Sequence, residues 1–157
     1  MQVQDKEKLA GLDVFEGLSA GQFESILACA SEDSFQEGEI VIKESSLTSD
    51  LYVLLEGRVS VEIDFSAGKT TQREQIVRLR AGDVFGEIAF LKGKRRSAYV
   101  VAMDNIRVLR IDGDRARELF EQDKTLGYQV TRNLALIVSQ RLIDTNFKWR
   151  QDMGRIG

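Results

Sequence analysis

The sequence predicts an α+β fold, an antiparallel β sandwich or barrel with helices before and after it. Three observations point there. Helical periodicity runs to about residue 30, short apolar runs follow closely on one another from about 33 to 111, and helical spacing returns from about 112 to 151. The 157 residues have the size of one domain. A domain of about 150 residues can bury roughly 68–70% of its unfolded surface. The reading is therefore a single domain over 1–157, with N-terminal helices at about 5–30, a β-roll at about 33–111 and C-terminal helices at about 112–151.

Ser19 opens the clearest early helix. Gln22 follows at capping-box spacing, and Phe23, Ile26, Leu27 and Ala30 recur at i, i+3, i+4 and i+7. Cys29 reads as a reduced, small hydrophobe on this helix. Glu37-Gly38-Glu39 precedes the apolar run Ile40-Val41-Ile42. Leu51–Leu55 is a second run, joined through Glu56-Gly57-Arg58 to Val59, Val61, Ile63 and Phe65, which alternate with polar residues as in a half-buried strand. The junction reads as a tight hairpin. Ser66-Ala67-Gly68-Lys69 is a turn into the strand Ile76-Val77-Arg78-Leu79. Ala98–Ala102 and Ile106–Ile111, separated by Met103-Asp104-Asn105, complete the set.

Asp112 can cap a helix bearing Ala116, Leu119 and Phe120, and Asp123 a longer one to about Gln151. The long helix is apolar on two sides. Leu126, Val130, Leu134, Ile137 and Val138 form one stripe, and Leu136, Ile143 and Phe147 another. Two apolar faces need two surfaces to bury against. One is the β domain. The other is a second copy of the chain, giving a homodimer, or else the chain's own N-terminal helix.

Composition excludes several functions. There is no His, so a Ser-His-Asp triad, a Cys-His dyad and imidazole metal ligands are ruled out. The single Cys29 rules out an intramolecular disulfide, and no metal site is expected. Lys plus Arg number 22 against 25 Asp plus Glu, a net charge of −3, which argues against a DNA-binding chain. The polar N-terminus lacks a signal-peptide core and no apolar stretch spans a membrane, so a cytoplasmic protein is expected. No catalytic residue is assigned, and the chain is read as a non-enzyme that needs no cofactor.

The stretch GDVFGEIAFLKGKRRSAYVVA, from Gly82 to Ala102, carries the chemistry. Gly86 lets the backbone approach a guest closely, and Glu87–Leu91 favours a helical turn whose first N–H groups attract an anion. Lys92, Lys94, Arg95 and Arg96 follow. Taken alone, such a basic run is a solvated turn. An arginine where a strand begins, however, can offer a fork to phosphate, supported by the Ser97 hydroxyl and the Ala98 N–H. Glu87 suits sugar hydroxyls better than a highly charged anion. One negative charge beside a ribose hydroxyl meets both demands.

These residues resemble the phosphate-binding cassette of the cyclic-nucleotide-binding domain family. The matching residues are Phe85-Gly86-Glu87-Ile88-Ala89 and Arg96-Ser97-Ala98-Tyr99-Val100, with Glu37-Gly38-Glu39, Asp50-Leu51-Tyr52 and Glu56-Gly57-Arg58-Val59 in the family's order. The resemblance covers about residues 12–150 and implies a jelly-roll, or cupin-like double-stranded β-helix, flanked by helices. It implies that Arg96 pairs with a cyclic phosphate, that Ser97 and the Ala98 backbone contact its oxygens, that Glu87 accepts from the ribose 2′-hydroxyl and that the Gly86–Ile88 backbone closes the cradle. Arg95 then faces solvent. Val77 and Leu79 are either pocket wall or plain core. A base-capping residue often comes from the family's C-terminal helix, where Asn133, Arg141 and Thr145 are candidates.

The chain departs from the family at Ser45-Ser46, where a Gly is usual, and it stops at Gly157 without the helix-turn-helix of transcriptional members. The expected function is a stand-alone sensor for a cyclic mononucleotide, cAMP over cGMP, signalling through its C-terminal helix to an effector protein. The alternatives are a ligand-free interaction domain of the same fold, the sensor fragment of a larger transcriptional regulator, or a different ligand such as a cyclic dinucleotide.

Overall fold

In the computed structural model, which describes residues 3–93 and 95–155, eight strands form two four-stranded antiparallel sheets. Lys94 of the basic run lies outside the described residues, as do 1–2 and 156–157. The strands are β1 (Ala30–Phe35), β2 (Ile40–Ile42), β3 (Leu51–Glu56), β4 (Arg58–Ala67), β5 (Thr70–Arg80), β6 (Val84–Phe85), β7 (Tyr99–Ala102) and β8 (Ile106–Ile111). One sheet has the order β1-β8-β3-β6, the other β2-β7-β4-β5. The helices are α1 (Val3–Ala10), α2 (Ala20–Leu27), α3 (Glu87–Lys92), α4 (Gly113–Gln122) and α5 (Lys124–Gly154), with a 3₁₀ turn at Asp13–Phe15.

The first sheet is covered on both faces, and its sequence shows why. Tyr52, Leu54, Phe85, Ile106 and Val108 pack against Ile42, Val59, Leu79 and Val100 of the second sheet. The alternate residues Leu51, Val53, Val84, Leu109 and Ile111 pack instead against Phe15, Phe23, Ile26, Ala116, Leu126, Val130 and Leu134 of the helical segments. A strand buried on two sides reads as a continuous apolar run, which is what Leu51–Leu54 is.

The connection at Gly57 is not a hairpin. β3 and β4 lie in different sheets, and only Gly57 separates them, one residue fewer than the shortest common hairpin loop. The chain turns over the sandwich edge there, with Gly57 at φ +82°. A Cβ on Gly57 would come within 2.7 Å of Ile106 Cγ2 and 2.9 Å of the Asn105 carbonyl. The β7–β8 link makes the neighbouring corner, and Arg58 clasps Asp104 across the two with bonds of 2.9 and 2.8 Å. The true hairpin joins β4 to β5, where Ala67 pairs with Thr70 around Gly68-Lys69.

β1 begins at Ala30, where helix was expected to continue and the β-roll to start only near 33. Its sequence, ASEDSF, has no apolar alternation to announce it. Pairing with β8 and cross-strand ion pairs hold it: Asp33 with Arg110 at 2.7 Å and Glu32 with Arg107 at 3.3 Å. Cys29 accordingly lies beyond the end of α2, in the turn before β1. It is buried, its Sγ is 3.6 Å from the Ser25 carbonyl, and burial raises the thiol pKa.

The predicted caps form. Ser19 and Gln22 exchange bonds of 3.2 and 3.1 Å, and Asp112 and Asp123 accept from the N–H groups of Arg115 and Leu126 at 2.9 and 3.0 Å. α5 buries Leu126, Val130 and Leu134, with Ile137 packed partly against the same cluster. Its opposite face is uncovered: Leu136, Ile143 and Phe147 are 53%, 59% and 63% exposed. The N-terminal segment therefore does not cover this face. It packs on the buried side, where Asn133 donates to the carbonyls of Val14 (3.1 Å) and Glu16 (2.8 Å).

Candidate functional site

A cavity of about 310 Å³ opens between the β2-β7-β4-β5 sheet, the β6–α3 corner and α5. Val61, Ile76, Val77, Leu79 and Val100 give it an apolar wall, and Gly86–Ala89, Arg96–Ala98 and Arg141 form its polar end. Of the residues expected at the site, Phe85, Gly86, Glu87, Ile88, Ala89, Arg96, Ser97, Ala98, Val77 and Leu79 all line this one cavity. Leu79 is also core, only 5% exposed, whereas Val77 is exposed at the wall. Phe85 is 1% exposed and stacks on Tyr52 with ring centroids 5.0 Å apart. Arg95 is exposed beside Leu47, Lys92 and Gly93 on the outer surface.

The corner is built around Gly86. It sits at φ +78° between β6 and α3, a conformation disfavoured for residues with a Cβ. The first intrahelical bond of α3 runs from the Phe90 N–H to the Gly86 carbonyl at 3.1 Å, so the N–H groups of Glu87, Ile88 and Ala89 precede any intrahelical acceptor.

Arg96 is 3% exposed. It donates through Nε to Thr48 Oγ1 (3.0 Å), through Nη1 to the Gly86 carbonyl (3.0 Å) and through Nη2 to the Asp50 carbonyl (2.8 Å). All three acceptors are neutral, and among the described residues no carboxylate forms an ion pair with it. Burial pushes the guanidinium pKa down, against the pull of Tyr52, Asp50 and Glu87 nearby. The side chain stays protonated, so the pocket holds a cation whose counter-charge is not supplied by an ion pair. Of its five N–H groups, one on each Nη remains. These two donors are left to meet an anionic guest.

The segment between β2 and β3 clamps this arginine. The Ser45 N–H donates to the Arg96 carbonyl and the Arg96 N–H to the Ser46 carbonyl, each at 3.0 Å. Ser45 stands at φ +65°, the one non-glycine residue with positive φ among those described. The departure from the family's Gly therefore falls in the loop that seats Arg96. Asp50 is held in turn, its carboxylate accepting from the Gly113 N–H at 3.0 Å and from Arg110 at 3.3 Å.

The three candidates on the last helix separate in the structure. Asn133 is buried against the N-terminal segment and does not line the cavity. Thr145 donates to the Arg141 carbonyl at 2.8 Å and lines an outer groove with Gln75, Arg78 and Lys148. Arg141 enters the cavity, pairing with Glu87 at 3.3 Å and donating to the Val84 carbonyl. Thr48 and this choice of Arg141 could not be reached from sequence. Thr48 lies in a polar loop with no periodicity, and Arg141 is one of several polar residues on a long helix.

The cyclic nucleotide-binding domain family matches residues 32–123, and the chain belongs to that family. The cAMP-dependent protein kinase regulatory subunit of Dictyostelium discoideum is 28% identical over 86 residues, covering 55% of this chain and 26% of that one. A cyclic nucleotide-binding domain from Methylobacillus flagellatus superposes with a TM-score of 0.79 at 19% identity, over 92% of this chain and 80% of that one. The regulatory domain of Toxoplasma gondii PKA, crystallised with cAMP, gives 0.71 at 21% identity, over 87% and 49%. At such identities the two solved structures establish the fold. The chain spans 14–29% of the length of the curated relatives it matches.

A Cβ at position 86 would come within 2.7 Å of Arg96 Nη1 and 2.9 Å of the Asp50 carbonyl, on a backbone already at positive φ. Gly86→Ala is expected to cost on the order of 1–3 kcal/mol in urea unfolding. An unchanged midpoint would show that the corner relaxes freely.

Proposed function

We propose that this chain is a regulatory sensor that binds a cyclic mononucleotide, with cAMP preferred over cGMP, and that binding rather than catalysis is its role. The buried Arg96 carries the reading, because its guanidinium meets only neutral acceptors, keeps two N–H groups without one, and lines the same cavity as Glu87. A singly charged cyclic phosphate supplies the missing negative charge. Its exocyclic oxygens would meet Arg96, the Ser97 hydroxyl, the Ala98 N–H and the N–H groups that start α3. Glu87 would accept from the ribose 2′-hydroxyl, and the Val61, Val77 and Leu79 wall would take the base. A Thr following the phosphate arginine tends to accompany cGMP in the family, and Ser97 here is intermediate, with a hydroxyl that can serve the phosphate alone or also reach the base. The Toxoplasma gondii relative supports the ligand class, since its regulatory domain was crystallised with cAMP.

Calorimetric titration of the nucleotide-stripped protein with cAMP, and in parallel cGMP, is expected to show saturable binding near one ligand per chain. Arg96→Ala should weaken it by about 10–100-fold, or about 1.5–3 kcal/mol, and Arg95→Ala far less. The reverse ranking would overturn the site. No heat with either nucleotide, together with an unchanged melting temperature, would point to the ligand-free interaction domain.

Arg141 supports output through α5. It joins the last helix to Glu87, the carboxylate the ribose would use, so ligand and helix share one group. A ligand shifts such an equilibrium only by its differential affinity for the two states. In Arg141→Ala, cAMP should still bind, while the ligand-induced change in hydrogen exchange along α5 should vanish. An unchanged α5 response would remove Arg141 from the relay.

The uncovered face of α5, with Leu136, Ile143 and Phe147, supports a homodimer through this helix, with an effector protein as the downstream partner. Sedimentation equilibrium should show the dimer. A monomer at high micromolar concentration, with and without cAMP, would overturn it.

A further inference from the structure

We infer that Thr48 is a positioning residue for the phosphate-binding arginine: its hydroxyl fixes the Nε side of Arg96 and so aims the two remaining N–H groups at the ligand. The inference rests on the cyclic-nucleotide reading above. Of the three acceptors around the guanidinium, two are backbone carbonyls, Gly86 and Asp50, that come with the fold. Thr48 Oγ1, at 3.0 Å from Nε, is the one side-chain acceptor, and hence the one that a substitution can delete without rerouting the chain.

The geometry favours this assignment over incidental contact. The same loop binds Arg96 twice by its backbone, through Ser45 and Ser46, so one short segment holds both the main chain and the head group of the arginine. The Gly86 and Asp50 carbonyls engage only the Nη atoms and leave Nε without an acceptor. The Thr48 contact therefore adds a constraint at the other end of the planar group. A neutral hydroxyl accepts this bond without cancelling the guanidinium charge, which stays available to an anion. A carboxylate at position 48 would instead compete with the phosphate. Thr48 itself is exposed, so replacing it leaves the core untouched.

The test is Thr48→Val, which keeps the shape and removes the acceptor. Titrated with cAMP, it is expected to bind about 3–10-fold more weakly than the parent chain. Thr48→Ser should restore most of that affinity. In an Arg96→Ala background Thr48→Val should have no further effect, because the two residues then act as one unit. Unchanged affinity in Thr48→Val, or an equal loss with Arg96 already gone, overturns the assignment.

A second readout needs no ligand. The Arg96 Nε–H signal, identified by its loss in Arg96→Ala, should exchange with solvent about tenfold faster or more in Thr48→Val than in the parent. Equal exchange rates in the two overturn the contact. Failure of the parent chain to bind cAMP or cGMP would overturn the functional reading instead, and a faster-exchanging Nε–H in Thr48→Val would still uphold the Thr48 contact.

Discussion

Taking a guanidinium out of water costs several kcal/mol unless its donors are met and its charge is answered. At Arg96 the fold meets the first demand at three of the five N–H groups and leaves the second open. Three neutral oxygens from two segments, Thr48 and Asp50 in the loop before β3 and Gly86 after β6, hold the side chain at 3% exposure. Much of the surrounding structure can be read as what keeps those oxygens in place. Gly86 adopts a backbone conformation that brings its carbonyl round to Nη1, Asp50 is anchored through its carboxylate to Arg110 and Gly113, and the loop at 45–48 is tied to the arginine's own backbone.

The sandwich supplies the rigidity this arrangement needs. The β1-β8-β3-β6 sheet is packed on one face by the second sheet and on the other by helices, so β3 cannot shift without opening two cores. Asp50 lies immediately before β3, and Gly86 immediately after β6, which pairs with it. The pocket polar groups are thus set at the ends of the most buried strands, while its apolar wall comes from the more exposed β4–β5 hairpin. The last helix reaches the same cavity through a single long side chain, Arg141, while Leu126, Val130 and Leu134 bind its first turns to the core. Beyond Leu134, α5 carries mostly exposed residues, with Arg141 as its tie to the pocket.

Where sequence and structure parted, the cause was pairing between distant segments. Gly57 looked like a hairpin because two apolar runs flank it, but a single residue cannot close a hairpin, and the partners of β3 lie about thirty to sixty residues further on. β1 was hidden because its cross-strand ion pairs with β8 leave no alternation to read. Cys29 moved off the helix for the same reason, since β1 begins one residue later and α2 ends before it. The N-terminal segment packs on the first apolar face of α5, through the 3₁₀ turn at Asp13–Phe15, and leaves the second uncovered.

The sequence alone determined the features that depend on neighbours in the chain. Helix caps at Ser19, Asp112 and Asp123 are local hydrogen bonds, the β4–β5 turn is a local conformation, and the order Gly86, Glu87, Arg96, Ser97 places a close-approach glycine, a carboxylate and a cation within one short stretch. Only the tertiary structure decided what surrounds that cation. That Thr48 and the Asp50 carbonyl meet Arg96 across nearly fifty residues, that Arg141 rather than Asn133 enters the cavity, and that Leu79 serves core and pocket at once are facts of packing between sheets and helix. Local sequence fixes torsions and caps. Burial of a charge is a property of everything folded around it.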